Sequence, residues 1–513
     1  MASTYVFRSP LNDKVCAPDK PLMCTWVKNA DKDSSPHTTQ DWKRTTPKLA
    51  PNALATIGQT PMIKLNKIPQ SAGLKCDVYV KCEFFNPGGS VKDRMALRIV
   101  EDAEKQGILK PGSTIIEPSS GNTGVGLAMV AAIKGYRCII CIAEKISLEK
   151  EYVMRALGAE VVRTPSSANS FSPDGMFGMV HRLSKQIPNA VIFDQFSNPG
   201  NPLTHYDTTS EEIYEECDGQ VAMIVMGAGT GGTVCGIGRK FKEISPSTKI
   251  VCADPYGSIF AQPEDLNKTD VTFWEVEGMG YEFIPTVLDR SVVDQWIKVP
   301  DSEALPMARR LIKEEGLLVG ASSGAMMVAA LKAAKDLPAG HKVVVILPDG
   351  IRNYLTKFVC DQWMEARGLA PALNTNNHWW WDLNVCSLKL APLQTTTGDA
   401  TYERVLSMLK KGGVDQIPAL GPNGGVVGVV TMQNIVNKVI SGNLQANDSV
   451  DRCIDRLYPK VLKSANLGLV SRVLEKEPYV MILDVEGTGP SKINRPVGIV
   501  TAIDLLDFIQ KKA

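Results

Sequence analysis

The residues best suited to chemistry are a lysine and the turn that leads into it: Asn86-Pro87-Gly88-Gly89-Ser90-Val91-Lys92-Asp93-Arg94. Lysine is a nucleophile only when neutral. One in the first turn of a helix sits against the positive end of the helix dipole, which disfavours its charged form. That setting suits a lysine that works as an imine, the chemistry by which an enzyme holds pyridoxal phosphate. The other reading of the stretch is a solvated surface lysine, so the chemistry needs partners elsewhere.

The elements around Lys92 supply a frame. Asp77-Val78-Tyr79-Val80-Lys81-Cys82 alternates and is β-branched, which predicts a buried strand. Apolar residues at Val91, Met95, Ile99, Val100 and Ala103 predict a helix over 91–106, with Asn-Pro-Gly-Gly as the turn and Ser90 as its N-cap. Strands are expected at 78–82, 114–117, 137–142, 160–163, 190–193, 222–227, 249–253 and 343–347. Helices are expected at 91–106, 123–134, 147–157, 175–186, 205–217, 233–243, 302–315 and 323–335. Such alternation means an α/β fold, a parallel sheet with helices on both faces. Its ligands gather where strand ends meet helix N-termini.

Three such loops carry suitable groups. Glu117-Pro118-Ser119-Ser120-Gly121-Asn122-Thr123-Gly124 offers hydroxyls and free N–H groups for a carboxylate or phosphate. Gly229-Thr230-Gly231-Gly232-Thr233 lacks the lysine of an NTP-binding loop, and its glycines let N–H groups converge on one phosphate. Gly320-Ala321-Ser322-Ser323-Gly324 opens a third helix.

Composition sets wider bounds. With 513 residues, 22% charged and a net charge of +1, the chain gives no reason to propose nucleic acid or a membrane surface as partner. No signal peptide and no apolar run long enough to span a bilayer is evident. The 12 cysteines are scattered, and Cys138-Ile-Ile-Cys141 reads as buried strand, so the thiols are expected to be reduced and the protein cytoplasmic.

Residues 1–45 are polar and proline-bearing and read as an irregular extension; Cys24 and His37 there could ligate a soft metal or the two axial faces of a haem. Residues 46–369 form the expected catalytic domain and 370–385 a linker. Trp379-Trp380-Trp381 cannot share one face and is expected to wedge between domains. Residues 386–513 hold a repeat: Val426-Val-Gly-Val-Val-Thr431-Met-Gln-Asn-Ile435 returns as Pro496-Val-Gly-Ile-Val-Thr501-Ala-Ile-Asp-Leu505. Each copy reads as strand, threonine cap and helix. The pair suits either a nucleotide cleft or a structural, dimerising module.

These motifs together resemble the fold-type II pyridoxal-phosphate enzymes of the β-replacement group. Within it they resemble the cystathionine β-synthases in their haem-containing animal form. The resemblance rests on the Lys92 turn, Ser119–Gly124, Gly229–Thr233, the loop Glu275-Val-Glu277-Gly278-Met-Gly-Tyr281-Glu-Phe283, the Cys24/His37 arm and the tandem C-terminal CBS modules.

The resemblance implies a fold of parallel twisted sheets flanked by helices, with a tandem CBS-module domain and a haem-binding N-terminal segment. It implies that Lys92 holds pyridoxal 5'-phosphate and then acts as base on the substrate Cα proton. Asn122 would serve the cofactor's 3-oxygen, Gly229, Thr230, Gly231, Gly232 and Thr233 its phosphate, and Ser322 its ring nitrogen. Ser119, Ser120, Thr123 and Gln195 would grip the substrate carboxylate. Glu277, Gly278 and Tyr281 would lie at the entrance for the larger second substrate. The implied reaction joins serine and homocysteine into cystathionine with loss of water, in a homodimer or larger homo-oligomer. Cys24 and His37 would be the axial ligands of haem b, with Arg239 able to pair with the thiolate.

The C-terminal pair resembles modules that bind S-adenosylmethionine, with Thr501 and Asp504 fitting ribose contacts. Gly413-Val414-Asp415-Gln416-Ile417-Pro418 departs from that pattern, since Ile417 stands where a small residue is expected. Weak or absent activation is therefore the expectation. The competing functions are a cysteine synthase using O-acetylserine and sulfide, a serine or threonine dehydratase, and a haem- or nucleotide-sensing protein with an inactive catalytic domain.

Overall fold

The computed structural model describes residues 48–119, 121–144, 146–165, 172–269, 271, 273–440, 445, 447–456, 458–487 and 493–512. The chain divides into two compact units, Met1–Val359 and Cys360–Ala513.

The first unit has two sheets. Its strands are β1 (Met62–Lys64), β2 (Asp77–Cys82), β3 (Thr114–Pro118), β4 (Arg137–Ala143), β5 (Glu160–Thr164), β6 (Ala190–Ile192), β7 (Met223–Gly227), β8 (Lys249–Pro255), β9 (Gln295–Val299) and β10 (Lys342–Leu347). Six pair in the order β1-β2-β10-β7-β8-β9 and four in the order β5-β4-β3-β6. Every pairing is parallel except that of β1 with β2. The central strands are Val- and Ile-rich because parallel strands are covered on both faces; Val343, Val344 and Val345 are fully buried. The edge strands β1 and β9 were not expected from the sequence; β1, with three residues, is too brief to show a period of two.

The helices of this unit are α1 (Ile68–Ser71), α2 (Lys92–Lys105), α3 (Asn122–Lys134), α4 (Leu148–Ala156), α5 (Met176–Gln186), α6 (Gly200–Thr204), α7 (Ser210–Glu216), α8 (Gly232–Ile244), α9 (Asp301–Glu315) and α10 (Ala321–Ala333). Small residues let α3 approach the catalytic corner. A Cβ on Gly126 would lie 3.0 Å from Ala96 Cβ and 3.1 Å from the Lys92 carbonyl. The single helix expected over 205–217 is a π turn, His205–Thr209, that runs from α6 into α7 and in which the Ser210 N–H reaches the His205 carbonyl.

Buried charge pins the Lys92 corner. Arg94 on α2 donates to Glu83 (2.8 and 2.9 Å) and to Glu212 of α7 (2.6 and 2.8 Å), with all three side chains nearly inaccessible. Lys81 of β2 reaches Glu212 (2.9 Å), Glu216 (2.8 Å) and the Thr60 carbonyl (2.7 Å). Burial alone would raise Glu212, but Arg94 and Lys81 outweigh it and hold its carboxyl at about 2.

The second unit carries the repeat. One sheet is β11 (Thr396–Thr397), β12 (Gln416–Leu420), β13 (Val426–Thr431) and β14 (Ile454–Asp455); the other is β15 (Lys460–Leu462), β16 (Tyr479–Glu486) and β17 (Ile493–Thr501). β13 leads into a helix at Met432–Ile440 and β17 into one at Ala502–Lys512, reproducing strand–threonine–helix in each copy. Thr431 Oγ1 accepts the Asn434 N–H (3.1 Å), and Asp504 accepts from the Thr501 N–H and hydroxyl (2.8 and 2.7 Å). Thr501 and Asp504 are thus tied together as a helix cap. Trp380 and Trp381 pack into the core of the second copy with Val385, Leu467, Val470 and Val500, while half-exposed Trp379 stacks near Phe508. Ile417 is fully buried in the core of the first copy, beside Val405, Leu409 and Val430.

Among the described residues every cysteine is free, and no helix is long and apolar enough to cross a membrane. Replacing Arg94 by Met strands two buried carboxylates and should lower stability to urea by about 3–5 kcal/mol. Arg137→Met, which breaks the exposed pair with Glu160 (2.7 Å), should cost about 1 kcal/mol or less. Glu212 is depressed in the folded state, so its contribution is present above pH ~4.3 and fades as pH falls towards 2. The Arg94→Met variant should lose most of that dependence.

Candidate active site

The turn before α2 is closed by its own side chains. Asp93 accepts the Gly88 N–H (2.6 Å), and Ser90 Oγ accepts the Lys92 N–H (3.2 Å). The Val91 N–H donates to the Pro348 carbonyl (2.8 Å), fastening the corner to the loop after β10. Lys92 is half-buried at the start of α2. Burial pushes its ammonium down to about 8, against the upward pull of Asp349.

Asp349 was not anticipated, yet it joins more of the site than any expected residue. Its Oδ2 accepts from Asn122 Nδ2 (2.8 Å) and from the Tyr354 hydroxyl (2.5 Å), and Asn122 Oδ1 accepts from Asn353 (3.0 Å). Burial lifts its carboxyl above the usual range, opposed chiefly by Lys150, Tyr354 and Asn122. Its backbone carbonyl accepts the Gly320 N–H (2.8 Å), which brings the start of α10 and buried Ser322 alongside. The sequence signal was present: Pro348-Asp349-Gly350 follows a strand end, as the Glu117–Gly124 and Gly229–Thr233 loops do.

The loop after β3 forms a second wall. Ser119 Oγ accepts the N–H groups of Gly121 and Gly124 (both 2.9 Å), and Thr123 donates to Gln195 Oε1 (2.6 Å). Glu117 holds the Gln195 loop through three N–H groups, of Phe193 (3.2 Å), Asp194 (3.0 Å) and Gln195 (2.8 Å). Ser120 lies outside the described residues, as do Cys24 and His37.

Gly229–Thr233 forms the third wall at the N-terminus of α8. Gly231 is left-handed at φ 91°, a conformation glycine accepts freely. A Cβ at Gly229 would strike the Gly278 carbonyl, and one at Gly232 would strike Asn201. The loop therefore presents bare backbone to a ligand while packing tightly behind. A run of N–H groups at a helix start, flanked by Thr230 and Thr233, fits a phosphate. The amine of Lys92, its basicity lowered by burial, fits an aldehyde. The residues present thus suit pyridoxal phosphate.

The Glu277 loop closes one side. Gly278 is exposed but rests on the phosphate loop, whereas Glu277 is buried, contrary to a plain surface turn. Glu277 binds Lys150 (2.7 Å) and Lys357, which outweigh burial and hold its carboxyl below the usual range. Lys150 also donates to the Tyr354 hydroxyl (3.1 Å), so this loop is joined through Tyr354 to Asp349. Tyr281 packs edge-on to Phe196, the residue after Gln195 (5.4 Å between ring centres). Arg239, an expected partner of Cys24, is bound to Asp289 (2.9 Å).

Residues 53–349 match the family of pyridoxal-phosphate dependent enzymes, and residues 388–441 match the CBS domain. The chain is 51% identical to the cystathionine beta-synthase of Apis mellifera, over 96% of this chain and 97% of that protein. The chain belongs to the cystathionine beta-synthase family. The enzyme of that name from Rattus norvegicus is 47% identical, over 96% of this chain and 91% of its own length. Among solved structures, the O-acetylserine dependent cystathionine beta-synthase from Helicobacter pylori superposes with a TM-score of 0.56 at 38% identity, covering 60% of this chain and 98% of that one. As a member of this family the chain is a pyridoxal-phosphate-dependent enzyme with a fold-type II catalytic domain and a CBS domain.

Capture of pyridoxal phosphate by the apoprotein requires the neutral amine of Lys92. Stopped-flow absorbance should show the capture rate rising with pH and levelling off above about 8, rather than near the ordinary 10.5. Asp349→Asn removes the charge that favours the ammonium, so the inflection should move lower.

Proposed function

We propose that the protein replaces the β-hydroxyl of serine with the thiol of homocysteine, giving cystathionine and water. The observation that carries this reading is the meeting of Lys92, the Asn122–Asp349 pair, the Thr123–Gln195 pair and the Gly229–Thr233 cradle at the ends of parallel strands. The full-length likeness to proteins named cystathionine beta-synthase supports it.

Bound pyridoxal phosphate supplies an electron sink that acidifies the substrate Cα–H. Lys92 would hold the cofactor and, with its amine free, would take the substrate Cα proton. Its low basicity keeps the amine ready to accept. Asn122, fixed by the acceptor Asp349, presents an amide to the cofactor's 3-oxygen. The N–H groups of Gly229, Gly231 and Gly232, with Thr230 and Thr233, bind the phosphate. Ser322 offers the ring nitrogen a neutral hydroxyl, which cannot hold it protonated as a carboxylate would and so favours loss of the β-substituent. Ser119, Ser120, Thr123 and Gln195 orient the substrate carboxylate. Glu277, Gly278 and Tyr281 shape the entrance for the second amino acid and exclude water.

Cys24 and His37 are proposed as the residues that would hold haem b through a thiolate and an imidazole; with both ligands supplied by the protein, that haem would be regulatory or structural rather than catalytic. The burial of Ile417 and the mutual capping of Thr501 and Asp504 support weak or absent activation by S-adenosylmethionine. A homodimeric, cytoplasmic enzyme completes the reading.

Mass spectrometry of products should give cystathionine from serine and homocysteine at a rate well above cysteine from O-acetylserine and sulfide. The reverse order would overturn the choice of substrates and leave the cofactor assignment in place. Lys92→Ala should abolish turnover with either pair. The purified protein should carry a Soret band that shifts or disappears in Cys24→Ala and His37→Ala; an unchanged spectrum would remove the haem assignment.

A further inference from the structure

Behind the phosphate cradle stand two buried side chains, one turn apart on the α6–π segment. Asn201 donates from Nδ2 to Thr230 Oγ1 (2.8 Å) and to the Gln195 carbonyl (2.8 Å). That carbonyl can only accept, so the orientation of the amide is fixed. His205 lies between two hydroxyls, with Nδ1 2.9 Å from Thr209 Oγ1 and Nε2 3.2 Å from Thr233 Oγ1. Burial, then the nearby Lys92 and Arg94, hold the imidazole well below its ordinary range, so it is neutral and carries one N–H. Thr209 is fully buried, and among the described residues the imidazole is the one hydrogen-bond partner its hydroxyl has. Leaving the hydroxyl hydrogen without a partner would incur a desolvation penalty. Nδ1 is therefore the acceptor, and the ring proton sits on Nε2, facing Thr233.

Both cradle hydroxyls then receive a hydrogen bond from behind and have their own hydrogens left to give. We infer that Asn201 and His205 are positioning residues that turn the hydroxyls of Thr230 and Thr233 into donors towards the cofactor phosphate. The π turn contributes directly, because it places the His205 ring between Thr209 and Thr233. Asn201 also joins the cradle to the Gln195 loop, so phosphate binding and the substrate-carboxylate wall share one support. The inference rests on the reading of Gly229–Thr233 as a phosphate site.

The test compares pyridoxal phosphate with pyridoxal, which keeps the aldehyde and lacks the phosphate. Dissociation constants are measured on the full-length apoprotein by fluorescence. Asn201→Leu and His205→Leu should each weaken pyridoxal phosphate about ten- to a hundredfold, with pyridoxal unchanged. His205→Gln, which retains a side-chain N–H, should recover most of the loss. Thr209→Val leaves the imidazole in place but releases its tautomer, and should fall between; it carries the test if His205→Leu does not fold. Equal weakening of both ligands would mean a merely structural role and overturn the inference, as would no change in either. Thr230→Val and Thr233→Val separate the two levels of the argument. If they weaken pyridoxal phosphate while Asn201→Leu and His205→Leu do not, only the positioning role fails. If they too have no phosphate-dependent effect, the phosphate-site reading fails with it.

Discussion

The geometry of the catalytic corner depends on one buried guanidinium. Arg94 follows Lys92 by two residues and is clamped by Glu83, just after β2, and Glu212, far along the chain on α7. Charges removed from water are tolerated only when paired and fully hydrogen-bonded, which leaves the guanidinium little freedom of position. The start of α2 is thereby fixed relative to the large sheet and to the helical segment that carries His205. A lysine on such a corner can be desolvated without drifting out to solvent, and this keeps Lys92 basic only to about 8.

Around that corner the site is built from hydrogen bonds whose direction is dictated by groups with a single role. Asp349 accepts, and so sets the amides of Asn122 and the hydroxyl of Tyr354. The carbonyl of Gln195 accepts, and so sets Asn201. Glu117 accepts three N–H groups and so shapes the Gln195 loop. Asn122 and Thr123 are each oriented by a partner from another strand end, Asp349 and Gln195. Parallel strands make this possible, because their loops all open on the same side of the sheet.

The C-terminal unit follows a different logic. Each copy of the repeat closes its own small core with a strand and the helix that follows; at the helix start Thr431 accepts the Asn434 N–H in one copy, and Asp504 accepts the Thr501 N–H in the other. Trp380 and Trp381 belong to the second of these cores. Gly468 admits them, since a side chain there would occupy the space of the Trp381 ring. The three tryptophans were expected to wedge between domains; two of them serve as ordinary core residues of their own unit.

The sequence by itself determined the alternating α/β pattern, the Lys92 turn, the three loaded loops and the C-terminal repeat. Each is written in short-range spacing: a period of two or 3.6, a glycine turn, a cap three residues from its partner. The resemblance of those motifs to a known family then named most of the residues that converge, from Asn122 and Thr123 to Gln195 and Thr233. Tertiary structure alone decided what stands behind them. Asp349 meets Asn122 across more than two hundred residues, Glu277 is buried by Lys150 and Lys357, and His205 meets Thr233 only because a π turn rotates it there. Those contacts depend on how sheets and helices pack, and a local pattern carries no record of which distant side chain will be nearest once water is excluded.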